Sequence, residues 1–190
     1  MLNDEELIFE IKNGNAAAME ILVKNYYKSV FSYIYRNIGS DYHTSYDLTQ
    51  EVFIKVIKYI KNYKEKGKLI NWILTISVNT CIDYYRSNDY KNQVNREDLK
   101  TKLTKEYDSV YNILDRKLER QMIMESLQKL PIYQKEVIIL KFYHDLKLKD
   151  IAKITQSNEA TTKTRLYQGL SKLGKLLQGG ERIEKKQHRL

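Results

Sequence analysis

The stretch Asp47-Leu48-Thr49-Gln50-Glu51-Val52-Phe53-Ile54-Lys55-Val56-Ile57-Lys58-Tyr59-Ile60 decides how this chain is read. Leu48, Val52, Phe53, Val56, Ile57 and Ile60 recur at three-to-four-residue spacing, which predicts a helix with one apolar face. At about 100° per residue, Asp47, Gln50, Glu51, Ile54 and Lys58 fall on the opposite face. Ile54 is thus set in the middle of a polar, partly acidic surface. A single exposed isoleucine is ordinary, so a solvated face is the plain reading. The sharper reading is a docking surface for a protein, an apolar anchor with a charged surround.

Outward from this helix comes a basic loop, Asn62 to Lys68, with Lys64, Lys66 and Lys68 close together. A second helix is predicted over Leu69 to Ser87. Ile70, Ile73, Leu74, Val78, Cys81, Ile82 and Tyr85 form its apolar stripe, and Asn71, Thr75, Asn79, Asp83 and Arg86 a polar one. Amide, hydroxyl and guanidinium groups behind a lysine-rich loop suit a nucleic-acid strand. Cations hold phosphates there, and amides read base edges.

The run Asp47-Leu48-Thr49-Gln50-Glu51-Val52-Phe53, with Trp72-Ile73-Leu74 and Asn79-Thr80-Cys81-Ile82-Asp83-Tyr84-Tyr85-Arg86, resembles region 2 of bacterial RNA polymerase sigma factors. It is most similar to the small extracytoplasmic-function (ECF) group of the sigma-70 family. The resemblance implies that the first helix docks on the clamp helices of polymerase β′ through Asp47, Gln50, Glu51, Ile54 and Lys58. It further implies that Lys64, Lys66, Lys68, Asn79, Asp83 and Arg86 open and read the promoter −10 element.

The whole chain fits that class. Its 190 residues suit one or two small domains, and 42% hydrophobic residues suffice for packed cores. The net charge of +9 favours an acidic partner such as nucleic acid or an anionic membrane surface. Its distribution says more: residues 47–91 hold 8 basic against 5 acidic side chains, and 159–190 hold 8 against 3. Cys81 is the only cysteine, which excludes an internal disulfide and fits a reducing compartment. On an apolar stripe it reads as a small buried thiol. His43, His144 and His188 lack ligand spacing, so no metal site is expected. No apolar run approaches the ~20 residues of a membrane span, and the N-terminus is not a signal peptide. A cytoplasmic protein is expected. No Ser/His/Asp set and no phosphate-cradling glycine loop is found, so neither an enzyme nor a cofactor or small-molecule substrate is expected.

In chain order, Asn3 or Asp4 caps a first helix over Glu5 to Asn13, with Leu7, Ile8 and Ile11 inward and Gly14 ending it. A longer helix spans Ala16 to Ile38, closed by Gly39. Tyr26, Tyr27, Tyr33 and Tyr35 are read as core and rim packing rather than a base-stacking platform. Ser87 to Asp115 has no sustained apolar face and reads as a flexible linker, with a short helix near Val110 to Leu114. Leu118, Met122, Met124, Leu127 and Leu130 mark a further helix. Pro131 restarts the chain into Tyr133–Tyr143, with Val137, Ile138, Leu140 and Phe142 as core. Lys147–Ile154, a turn at Thr155–Ser157 and a basic helix from Asn158 to Leu177 make a helix-turn-helix pattern.

On that last helix Thr162, Leu166, Leu170, Leu173 and Leu177 face inward, and Lys163, Thr164, Tyr167, Gln168 and Ser171 outward. Leu130-Pro131, Ile151-Ala152 and Thr161-Thr162-Lys163-Thr164-Arg165-Leu166 resemble ECF region 4, which reads the promoter −35 element. Asn158 is a good N-cap, and the first amides of the helix suit a DNA phosphate. The resemblance assigns Lys163, Thr164 and Gln168 to DNA, with Arg165 a weaker phosphate contact, and Thr161 is counted with them at the −35 element. Four positions depart from the family pattern. Gln156 stands for the turn glycine, Ser157 for an apolar residue, Thr162 for a core valine, and Lys147 for a capping serine or threonine.

The expected architecture is all-α, two small helical domains joined by a flexible linker. A region 2 bundle takes 1–90, the linker 91–116, a region 4 helix-turn-helix 117–178, and a basic tail 179–190. The expected partners are core RNA polymerase (β′ clamp helices and β flap) and promoter DNA. Many ECF factors are held by an anti-sigma factor, which is a further candidate partner. Two other readings compete. A helix-turn-helix regulator would bind duplex operator alone, and a charge-driven membrane-surface or RNA adaptor would bind with little sequence preference.

Overall fold

The computed structural model describes residues 3–39, 41–64, 67–87 and 112–187, with the backbone alone over 112–118 and 179–187. The described residues form eight α-helices: α1 (Asp4–Lys12), α2 (Ala16–Asn37), α3 (Tyr42–Tyr59), α4 (Leu69–Arg86), α5 (Asn112–Gln128), α6 (Ile132–Phe142), α7 (Leu148–Ile154) and α8 (Glu159–Gln187). A 3₁₀ turn, Ile60–Asn62, extends α3. No helix among the described residues is long and apolar enough to cross a membrane.

Local chemistry sets most helix ends. Asn3, not Asp4, caps α1: its side chain accepts from Glu6 N–H while the Glu6 carboxylate accepts from Asn3 N–H, both at 2.9 Å. Asn15 caps α2 through the amides of Ala17 and Ala18. Gly14 and Gly39 follow α1 and α2 at φ +89° and +90°, where a side chain would be strained. α3 starts at Tyr42, five residues before Asp47. Asp41 caps it by accepting from His43 N–H and the Thr44 hydroxyl, and nothing from 42 to 47 breaks a helix.

Other expectations need correction. Ile57 and Phe142 are exposed rather than in the core, because no neighbouring helix covers them. The short helix expected near Val110 to Leu114 is the start of α5, which runs unbroken from Asn112 into the second half; residues 88–111 lie outside the described part. α8 runs on to Gln187, past Gly179-Gly180 where a frayed tail was expected.

α1–α4 enclose Leu7, Leu22, Val30, Tyr33, Ile34, Val52, Val56, Ile73, Leu74 and Cys81. Cys81 is fully buried, and burial pushes its thiol well above the ordinary range, so it is chemically quiet. Of the four tyrosines read as packing residues, Tyr33 is fully buried and Tyr26, Tyr27 and Tyr35 are half-buried. Tyr27, Phe31 and Tyr35 stack in a row along α2, and Tyr27 also stacks on Phe53.

α5–α8 pack on Leu127, Leu130, Val137, Ile138, Ile139, Leu140, Ile151, Ile154 and Leu166. The halves are not separate: α2 lies against α6 and α4 against α7, and their buried apolar residues form one cluster.

Candidate functional site

Three exposed surfaces carry the sequence-predicted residues. On α3, Asp47, Gln50, Glu51, Ile54 and Lys58 are all exposed, and Ile54 is 65% accessible. The exposed Ile57 widens the apolar centre of this face, which strict periodicity had assigned to the core. Lys55 also matters to the face. Its Nζ pairs with the Glu51 carboxylate at 2.7 Å and donates to Thr80 Oγ1 at 3.0 Å, so it ties α3 to α4. The i,i+4 spacing from Glu51 was the available signal.

On the second surface, Asn79, Asp83 and Arg86 are exposed along α4, and Lys64 and Lys68 are exposed in the loop before it. Lys66 lies outside the described residues. Asn71 and Thr75 are half-buried, and the Thr75 hydroxyl donates to the Asn71 carbonyl at 2.9 Å. The loop is anchored by Tyr63, a residue that sequence reasoning passed over. It is buried with its ring 4.9 Å from that of Trp72, its hydroxyl donates to Gly67 O (3.1 Å), and its own carbonyl accepts from Lys12 Nζ (3.0 Å). The lysine-bearing loop is therefore held at both ends against α4 and α1.

The third surface is the helix-turn-helix. α7 enters without a side-chain cap at Lys147, in line with the missing serine or threonine. In the turn, Gln156 adopts φ +49°, the left-handed conformation that glycine takes without cost. The two polar departures meet one another. Ser157 Oγ lies 2.8 Å from Thr162 Oγ1 and 3.0 Å from Thr155 Oγ1, and Thr162 donates to Asn158 O at 3.0 Å. The buried Thr162 hydroxyl and the half-buried Ser157 hydroxyl thereby satisfy one another where apolar packing would otherwise stand. Gln156→Gly should therefore raise stability by about 0.5–1 kcal/mol, the left-handed strain being partly offset by glycine's entropy. A melting curve should show a rise of roughly 2–4 °C per kcal/mol for a chain of this size.

Asn158 caps α8 by accepting from Thr161 N–H at 2.7 Å. Lys163, Thr164 and Gln168 are exposed together on one face of α8. Thr161 is half-buried. Arg165 is drawn aside: its guanidinium lies 4.9 Å from the centre of the Tyr133 ring, on α6. Tyr167, read from the sequence as outward-facing but not as a DNA contact, is 62% exposed between Lys163, Thr164 and Gln168. With Gln168, Ser171, Lys172 and Lys175 it lines an open groove that continues the basic face. Helical spacing from Lys163 and Gln168 was the signal for all of these.

Comparison with known proteins matches two segments of the chain. Residues 22–90 match the family model for Sigma-70 region 2, and residues 120–173 that for Sigma-70, region 4. The chain is 31% identical over 147 residues to RNA polymerase sigma factor SigV of Bacillus subtilis, covering 77% of this chain and 81% of SigV. It is 26% identical over 173 residues to ECF RNA polymerase sigma factor BldN of Streptomyces coelicolor; that match takes in 90% of this chain but only 65% of BldN. The fold matches that of sigma factor RpoE, solved in complex with the anti-sigma factor NepR from Bartonella quintana. The TM-score is 0.66 at 21% identity, over 84% of this chain and 96% of that one.

Proposed function

Since the chain belongs to the sigma-70 family of RNA polymerase sigma factors, in its extracytoplasmic-function group, we propose that it binds core RNA polymerase and directs it to particular promoters. The observation that carries this reading is Ile54, widely exposed at the centre of a polar helix face that no described residue covers. Asp47, Gln50, Glu51, Ile54 and Lys58 take the β′ clamp helices, with residues 117–178 engaging the β flap. Asn79, Asp83, Arg86 and the lysine loop capture unpaired −10 bases, whose release from the stack costs a few kcal/mol. α8 enters the major groove of the −35 duplex with Thr164 and Gln168 at base edges, Lys163 at the phosphate backbone and Tyr167 beside them. Asn158 and Thr161 place the helix N-terminus at a phosphate. Arg165 contributes only if it leaves Tyr133.

No covalent step belongs to this protein; it acts by positioning and by differential binding, in the cytoplasm. The region 2 unit ends near residue 90, and the region 4 unit takes α5–α8, from Asn112 to Gln187. An anti-sigma factor is a further partner, by likeness to RpoE. Reconstitution with purified bacterial core polymerase tests the assignment. Promoter-directed transcripts should require both components. Tight, dimeric binding of duplex DNA by the protein alone would instead establish an operator-binding regulator.

Within the reconstituted holoenzyme, Lys163→Ala should weaken binding to a −35 duplex about tenfold. It should also lower the slope of log affinity against log salt by about one, as expected when one phosphate-neutralising cation is removed. Titrations between 50 and 200 mM salt read both quantities. An unchanged slope would make Lys163 a solvated bystander.

A further inference from the structure

The base-reading turns at the start of α8 are short of free positive charge. Glu159 in the first turn is acidic, and the Arg165 guanidinium is taken up over the Tyr133 ring, 4.9 Å from its centre. Lys163 is left as the one exposed cation of these turns among the described residues. One cation holds a duplex weakly, because much of the affinity for DNA is gained at the phosphates.

Farther along the helix the charge is plentiful and unpaired. At about 100° per residue, Thr164, Gln168, Ser171 and Lys175 fall within about 60° of one another, and Lys172 borders them. All five are exposed. The base-reading stripe therefore runs straight on into the groove lined by Tyr167, Gln168, Ser171, Lys172 and Lys175. The Tyr167 and Ser171 hydroxyls and the Lys172 and Lys175 ammonium groups have no hydrogen-bond or ion-pair partner among the described residues. From Ala160 to Gln178 the sequence holds no aspartate or glutamate, and the same three-to-four spacing goes on to Arg182 and Lys186. On the opposite face Leu170, Leu173 and Leu176 pack against the core, and α5 lies against α8. Donors on an element braced in this way are in position before a ligand arrives.

The register fits the shape of a duplex. Residues in the N-terminal turns of a reading helix reach base edges, in a major groove about 12 Å wide. Lys175 lies about 16 Å along the axis from Thr164, at ~1.5 Å per residue. A helix seated with Thr164 at the bases has therefore left the groove by Lys175, which then stands over the phosphate strand on the rim. An acidic protein surface would also match the charge, but it gives no reason for the groove to lie in line with the base-reading residues.

We propose that Ser171, Lys172 and Lys175, walled by Tyr167, form a second DNA site on α8: a sequence-independent cradle for the phosphodiester backbone that borders the −35 element. The proposal rests on the sigma-factor reading for which duplex the cradle meets, but not for its chemistry. The cradle holds α8 to DNA of any sequence, while Thr164 and Gln168 supply the choice among sequences. It makes good the cation that Tyr133 withdraws from the reading turns.

The test uses Lys172→Gln with Lys175→Gln in the full chain, its helix content checked by circular dichroism. Holoenzyme reconstituted with purified bacterial core polymerase first enriches a promoter duplex from a random pool. That duplex, and a copy with one −35 base pair exchanged, serve as probes. The double variant should bind both more weakly, by about tenfold per lysine, and lower the slope of log affinity against log salt by about 2. The preference between the two duplexes should stay as in the parent, whereas Gln168→Ala should narrow it. Lys172→Arg with Lys175→Arg keeps both cations and should keep the parent's slope. An unchanged slope in the double glutamine variant would overturn the cradle. So would an altered preference, which would make the lysines base readers. Undiminished DNA binding by a variant that no longer retains core would assign the face to an acidic protein surface instead. If no duplex is enriched, the sigma-factor reading fails, and the free chain on a random-sequence duplex decides the cradle. The same fall in slope is expected there, and no binding by the parent or an unchanged slope overturns it.

Discussion

Ile54→Asp is expected to abolish retention of core polymerase while leaving the fold in place. Ile54 is 65% exposed and takes no part in the core, so the stability cost should stay below about 1 kcal/mol, mostly helix propensity. For a chain of this size that is a fall of roughly 2–4 °C at most. The binding cost is of another order. An apolar anchor at the centre of an interface is worth about 2–4 kcal/mol, some 30- to 1,000-fold in affinity. The new carboxylate also joins Asp47 and Glu51 on the same face, so its desolvation adds to the loss. A pull-down of purified core polymerase, with circular dichroism on both proteins, reads the two effects separately. Undiminished retention by the folded variant would remove this face of α3 from the interface, and the docking surface would have to be sought elsewhere.

The second large effect is expected at Gly169, where the reading helix α8 meets α6. A Cβ there would lie 2.9 Å from Ile138 Cδ1 and 3.2 Å from Gln134 Cβ. Glycine is thus needed for close approach, not for its backbone freedom. Gly169→Ala sets this crowding against a helix-propensity gain of about 0.8–1 kcal/mol, and the end of the Ile138 side chain can shift, so the net change should be small. Gly169→Val leaves no such escape. Its branched methyls should cost about 3 kcal/mol by overpacking, or roughly 6–12 °C in melting temperature. Because α8 carries Lys163, Thr164 and Gln168, the same variant should lose −35 binding before it unfolds completely. Thermal melts of the Ala and Val variants side by side check this; a Val variant as stable as the parent would mean that α8 is seated differently.

Helix existence and face were legible in the sequence because both are local. Periodicity marked the inward residues of α1, α3, α4 and α8, and Asn3, Asn15, Asp41 and Asn158 carry the capping chemistry that starts four helices. The exposed faces of α3, α4 and α8 were legible for the same reason: residues opposite an apolar stripe must lie away from whatever buries it. Periodicity fixes an angle about a helix axis and stops there. Whether another element covers that angle depends on packing between residues far apart in the chain. Ile57 and Phe142 fit apolar stripes but meet no covering helix, whereas Lys135 and Glu136, charged and absent from the expected core, are buried where α6 meets the first half. The same non-local packing drew Arg165 onto Tyr133 and brought Ser157 onto Thr162, turning two separate departures from the family pattern into one satisfied contact. The sequence by itself determined the helices, their caps and the surfaces offered to polymerase and DNA. Only the tertiary structure decided that the two halves close on each other, because the hydrogen bonds and buried charges of that seam join positions up to 92 residues apart.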